Sequence, residues 1–276
     1  MALGKRPRTL YFYDSFGYAG NGENRQGNPY SWGRSTFIPH LNKIQTIRKG
    51  AVMKILFQGD SITDGNRYKS KASEWDKNHQ IGHSYVYIVT GLLGMKHPER
   101  RFEFFNRGIS GNTVEALAAR WQTDTLSLQP DVLSVLIGIN DCLQASARRV
   151  KDLSASAYES EYRKILTECR KQNSDIKLIL MEPFAYVEQQ KNNDSSVALR
   201  KAILQSEQKA VRRLAEEFHA VFIPLQEVFD EAAQCAEPAY WIWDGVHPTE
   251  AGHALIAREF LKATSEIFGI SDSPIC

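Results

Sequence analysis

The chain predicts an α/β fold in which a central parallel β-sheet lies between two layers of helices. Three observations carry that expectation. Short apolar runs rich in Val, Ile, Leu and Phe recur with little polar alternation, as strands covered on both faces require. Longer segments with helical spacing separate them. Strand and helix then alternate along the chain, the order that crossovers of a parallel sheet impose.

Strands are expected over residues 55–58, 102–106, 132–138, 176–181 and 221–223, each a compact apolar run. Helices are expected over 85–96, 114–124, 157–172, 197–218 and 250–268. The segment 197–218 shows why. Leu199, Ile203, Leu204, Val211 and Leu214 fall on one side of a 3.6-residue repeat, opposite Arg200, Lys201, Lys209, Arg212 and Arg213. Before this pattern starts, residues 11–35 are dense in Tyr, Gly, Asn, Ser and Arg and show neither period. Residues 1–50 therefore read as an N-terminal extension or arm, and 51–276 as one folded domain. Met53 directly precedes the first strand and is a candidate alternative start.

Composition narrows the class. The 276 residues suffice for a substantial core, and 42% hydrophobic with 24% charged residues describes a soluble globular chain. A net charge of +2 gives no global field for nucleic acid, and Lys5-Arg6-Pro7-Arg8 reads as a solvated terminal cluster. Cys142, Cys169, Cys235 and Cys276 are scattered without a Cys-x-x-Cys, which argues against zinc and suits a reducing compartment. No stretch has the pattern of a signal peptide or the ~18 apolar residues of a membrane span. The expectation is a cytoplasmic protein with neither a nucleic-acid nor a membrane partner.

Four motifs carry chemistry. Gly59-Asp60-Ser61-Ile62-Thr63-Asp64-Gly65 places a serine in a tight turn after the first strand. Gly108-Ile109-Ser110-Gly111-Asn112-Thr113 and Gly138-Ile139-Asn140-Asp141 follow two further strands, and Asp244-Gly245-Val246-His247-Pro248-Thr249 precedes the last helix. A serine hydroxyl needs a base within hydrogen-bond reach, and His247 with Asp244 three residues before it supplies base and orienter. Acyl transfer also needs donors aimed at the developing oxyanion. Ser61 N–H, Gly111 N–H and the Asn140 amide are the candidates. Sites in parallel sheets form at the carboxyl ends of strands, so three unlike motifs converge on one sheet edge.

Together these segments resemble the SGNH, or GDSL-like, hydrolase family from about Met53 to Phe268, with Ile62 where the family name has Leu. The resemblance implies a flavodoxin-like three-layer α/β/α sandwich, no cofactor, and a hydrolase domain spanning 51–276. It gives Ser61, Asp244 and His247 triad roles and makes Ser61, Gly111 and Asn140 the oxyanion hole. The glycine, asparagine and histidine motifs look closest to the intracellular acetyl-xylooligosaccharide esterases. That branch implies a serine esterase that deacetylates small acylated carbohydrates and assembles as a homo-oligomer. A lysophospholipase or thioesterase on the same scaffold is the alternative hydrolase, and a non-catalytic binding module the alternative of another class.

The remaining polar residues have plainer readings. Asp60 and Trp243 are candidate substrate contacts, Trp243 by stacking on a sugar ring, although Asp60 and Asp141 equally suit turn and loop stabilisation. Asp64 and Arg67 read as a surface ion pair, or as lining of the site entrance. His253 reads as a packing or capping residue of the last helix. A metal held by Asp60, Asp244, His247 and His253 lacks the spacing such sites show, so no metal is expected. Neither Gly-x-x-x-x-Gly-Lys nor Gly-x-Gly-x-x-Gly is present, which removes nucleotide binding.

Overall fold

Hydrogen bonding joins five strands side by side, all parallel: β1 (Val52–Gly59), β2 (Arg101–Asn106), β3 (Val132–Leu136), β4 (Lys177–Met181) and β5 (Val221–Ile223). The computed structural model describes residues 52–69, 77–148, 155–189 and 194–270. The arm expected over 1–50 lies outside the described residues. The strand order is β2-β1-β3-β4-β5. That is the flavodoxin-like order, whose switch point falls between β1 and β3.

The two faces of the sheet bury different residues because side chains alternate along a strand. Ile55, Phe57, Val132, Ile179 and Met181 face one core, filled by Val86, Val89 and Leu93 of α2 (Tyr85–Lys96, following α1, Ser61–Asp64) and by Ile256 and Phe260 from the C-terminal helix Glu250–Ala263. Leu56, Leu133, Val135, Leu178 and Leu180 face the other core. There they meet Tyr162, Ile165 and Leu166 of the helix Ala155–Gln172 and Val211 and Leu214 of the helix Asp194–Glu217. Apolar contact on both faces explains why the strands lack polar alternation. The result is the expected three-layer sandwich.

Three expected spans change. The helix foreseen over 114–124 is broken at Arg120 into Val114–Ala119 and Trp121–Asp124, because Arg120 leaves the helical conformation at φ −110 and ψ 9. The helix foreseen over 250–268 divides at Thr264 into Glu250–Ala263 and Ser265–Phe268. The third strand stops at Leu136, since Gly138 turns away with φ +141. The helices Ile139–Arg148 and Leu225–Ala232 and the short ones Ser61–Asp64, Lys77–Ile81 and Pro238–Trp241 were not foreseen.

Candidate active site

β1 delivers the serine. Gly59 at its end has φ +159, and a Cβ there would meet Leu136 O and Thr63 Oγ1 at 2.4 Å, so only glycine fits this turn. Asp60 is then the N-cap of α1, its carboxylate accepting from Ile62 N at 3.0 Å. Gly65 closes the four-residue helix in the left-handed conformation and donates to Ser61 O. Ser61 is thereby held in the first turn, where helical amides have no intrahelical partner. Its N–H is therefore one of the helix-start amides that need a partner from outside the helix.

The histidine arrives on a braced loop. An Ile242–Pro248 bridge and a bond from Trp243 N to His247 O at 3.1 Å close its base, and Gly245 makes the turn at φ +85. Asp244 Oδ1 accepts from Val246 N at 2.9 Å and His247 N at 2.7 Å, while Oδ2 lies 2.7 Å from His247 Nδ1. That contact places a proton on Nδ1 and turns the Nε2 lone pair toward Ser61 Oγ, 2.9 Å away. Burial pushes the Asp244 carboxyl up, but its bonds to His247 and Val246 outweigh burial and hold it below the usual carboxylate range. Thr249 starts the following helix by accepting from Gly252 N at 3.2 Å. The helix entry foreseen at Thr249-Glu250 is therefore present.

Gly111 and Asn140 complete the rim. Gly111 has φ +81 and no heavy atom within 4 Å of the position of a Cβ, so the space a side chain would take is open. Asn140 lies in the first turn of Ile139–Arg148 and donates Nδ2 to Asn112 O at 3.1 Å, which ties it to the Gly111 turn and leaves one amide hydrogen. Asp141 accepts from Val114 N with both oxygens at 3.1 Å, joining this helix to the one after the Gly111 turn. Loop bonding is thus what Asp141 does.

Other expectations shift. Asp60 is 1% exposed and committed to Ile62 N, so its assignment as a substrate contact is withdrawn in favour of holding the serine turn. Trp243 is 63% exposed and stacks on the His247 ring, with centroids 6.0 Å apart and planes inclined by 23°. Asp64 and Arg67 are no surface pair: both are buried, Arg67 Nε donating to Gly108 O at 3.0 Å. His253 Nδ1 accepts from Tyr85 N at 3.2 Å, which caps α2 rather than its own helix. Burial lowers its pKa to about 4, so it accepts as a neutral ring. Among the described residues, no group of three or more His, Cys, Asp or Glu side chains is placed to hold a metal.

Two hydrogen-bonding hubs escaped the sequence, buried Asn106 and half-buried Arg120. Asn106 donates to Thr63 O and Ile81 O, both at 2.7 Å, and accepts from Gly108 N at 2.9 Å. Arg120 reaches Gln58 Oε1, Arg107 O and Asn112 Oδ1 within 2.9 Å, binding the ends of β1 and β2 to the Gly111 turn. Asn106 at the end of a strand carried a weak signal, being polar after an apolar run. Arg120 carried none.

A parallel sheet that brings a serine, a histidine and an aspartate into one hydrogen-bonded series at its switch point has the architecture of the α/β ester hydrolases. The family model of the GDSL-like lipase/acylhydrolases matches residues 57–255. The chain belongs to that family and is a carboxylic-ester hydrolase. It is 36% identical over 216 residues to an acetylxylan esterase of Geobacillus stearothermophilus, a match covering 77% of this chain and 94% of that protein. Among solved structures it is similar to a GDSL-like lipase from Parabacteroides merdae, with TM-score 0.71 and 36% identity over 77% of this chain and 95% of that one. It is likewise similar to the acetylxylan esterase Axe2 from Geobacillus stearothermophilus, with TM-score 0.67 and 34% identity over 82% of this chain and 98% of that one.

Proposed function

We propose that the protein is a cofactor-independent serine esterase that removes acetyl groups from short acetylated xylo-oligosaccharides or related carbohydrates. The observation that carries this reading is the unbroken hydrogen-bonded chain from Ser61 Oγ through His247 to Asp244, at 2.9 and 2.7 Å. Ser61 Oγ attacks the acetyl carbonyl carbon as its proton passes to His247 Nε2. The tetrahedral oxyanion accepts from Ser61 N–H, Gly111 N–H and Asn140 Nδ2. Collapse breaks the bond to the sugar oxygen, which takes the proton from His247 and leaves Ser61 acetylated. Water, deprotonated by His247, then attacks the acyl carbon; the bond to Ser61 Oγ breaks, Oγ takes the proton back from His247, and acetate leaves.

The choice of a carbohydrate ester is supported by similarity to an acetylxylan esterase along nearly the whole length of that relative. The exposed face of Trp243 beside His247 offers an apolar platform of the kind sugars stack on. The same reading places the enzyme in the cytoplasm, where the free thiols of Cys142 and Cys169 stay reduced, and includes self-association. Among the described residues no helix is long and apolar enough to cross a membrane.

Acetate release from acetylated xylo-oligosaccharides, set beside fatty-acid release from lysophospholipid, tests the assignment. Acetate should dominate and vanish in Ser61→Ala. Dominant fatty-acid release would reassign the enzyme as a lysophospholipase. No turnover, with Ser61 inert to a fluorophosphonate probe, would leave a binding module.

A further inference from the structure

No packing against a side chain holds the turn at Gly111. Nothing lies where its side chain would be, and φ +81 is a conformation that glycine enters and leaves easily. The restraint comes from the residues on either side. Asn112 N donates to Ile109 O at 3.1 Å and Asn112 O accepts from Asn140, which anchors the far side. On the near side Ser110 is held by one carboxylate, Asp64, whose Oδ2 accepts from Ser110 N at 3.1 Å and from Ser110 Oγ at 2.9 Å.

Asp64 is also the last residue of the helix that Ser61 opens, and its own N–H donates to Asp60 O at 2.8 Å. The side chain is fully buried, yet Lys69 Nζ reaches Oδ2 at 2.6 Å from a half-exposed position. Arg67 N adds a bond to Oδ1 at 3.2 Å. Burial pushes this carboxyl up, but the bonds from Lys69 and Ser110 outweigh burial and keep it below its ordinary range.

We infer that Asp64 is a positioning residue that sets the separation between the Ser61 and Gly111 amides, the two main-chain donors of the oxyanion site. This rests on the serine-esterase reading above. The carboxylate touches neither substrate nor oxyanion. It links the α1 end of the site to the Gly111 turn, and four donors converging on it leave no room for an amide in its place. An Asp64→Asn side chain keeps the volume but points an NH₂ group at one set of those donors.

The test compares the parent with Asp64→Asn and Ser110→Ala on a small acetyl ester, with serine content fixed by active-site titration. Asp64→Asn should lower kcat by about 10²-fold, since a shift of an ångström in a reacting group costs about that much, with KM within about twofold. Ser110→Ala removes one bond to an ionised group, keeps the other, and should lower kcat by about tenfold. Affinity for an alkylboronic acid, which forms a tetrahedral anion on the serine, should fall in parallel with kcat. Loss of titratable serine accounting for all the lost activity would make Asp64 a folding residue and overturn the inference. Parent-like kcat in a folded Asp64→Asn would overturn it too. Hydrolysis persisting in Ser61→Ala would instead sink the esterase reading itself, and the inference with it.

Discussion

Asp244 and Asp141 border the same site and meet opposite electrostatic fates. Asp244 collects two backbone amides and an imidazole, which hold its charge in place. Burial pushes the Asp141 pKa up to about 7 despite bonds from the Val114 amide and its own, with repulsion from Asp60 and Glu115 acting in the same direction as burial. An unfolded aspartate releases its proton near ~3.9. Between roughly 4 and 7 the folded chain therefore holds a proton at Asp141 that the unfolded chain has lost, so stability falls as pH rises through that window and levels off above it. Asp141→Asn keeps an acceptor for Val114 N and removes this proton. Its melting temperature should decline less steeply than the parent's from about pH 4 to 7, with Asp60, also raised to about 7, still contributing. Equal slopes in thermal melts of the two proteins would show that Asp141 is ionised throughout. At this scale the Ser61, His247 and Asp244 contact was legible because each residue sits in a short motif. Asp64 was misread as a surface residue because the groups that bury it include Ser110, 46 positions away, which no local pattern reveals.

Elements were legible where burial repeats. The strand over 221–223 and the helix over 85–96 appear with the expected bounds, since apolar runs and helical spacing report directly on a packed face. Ile139–Arg148 was hidden for the opposite reason. It opens with Asn140 and Asp141, polar residues that favour turns, and their side chains are fixed by Asn112 and Val114 in another segment. The break at Arg120 has no Gly or Pro to announce it; the guanidinium's distant partners accompany it. The serine helix and the loop after β2 are in close contact at Gly108, where a Cβ would sit 2.4 Å from Asp64 N and 2.9 Å from Thr63 C, main-chain atoms that cannot rotate aside. Gly108→Ala should therefore drive α1 off the β2 loop, costing about 1–3 kcal/mol as overpacking does and lowering activity with it. Gly111→Ala meets no atom within 4 Å and bears only the backbone cost of its φ. Thermal melts should rank Gly108→Ala below Gly111→Ala. The reverse order would mean that the β2 loop and the serine helix are not in close register.

At the scale of the whole molecule, function follows from strand order. The order in which the strands are laid down reverses between β1 and β3, and such a switch point opens a crevice at the carboxyl ends from which the loops after β1, β2 and β3 leave the sheet. The alternation of runs along the chain made a parallel sheet legible, but not the order of its strands, which depends on pairings far apart in sequence. The family match begins at residue 57, and 77% of this chain suffices to cover 94% of the Geobacillus acetylxylan esterase. Buried core residues are present from Met53 onward, and β1 lies inside the sheet, paired on both sides. We propose on these grounds that residues 51–276 are the hydrolase and that 1–50 are dispensable for chemistry. A chain beginning at residue 51 should fold cooperatively and hydrolyse an acetyl ester with kcat/KM within about threefold of the full chain. Purification, a thermal melt and steady-state kinetics on both chains decide it. If the shortened chain folds but loses activity tenfold or more, residues 1–50 contribute to substrate binding or to an assembly that completes the site. If it fails to fold, they belong to the core, and the boundary drawn from the change in composition is misplaced.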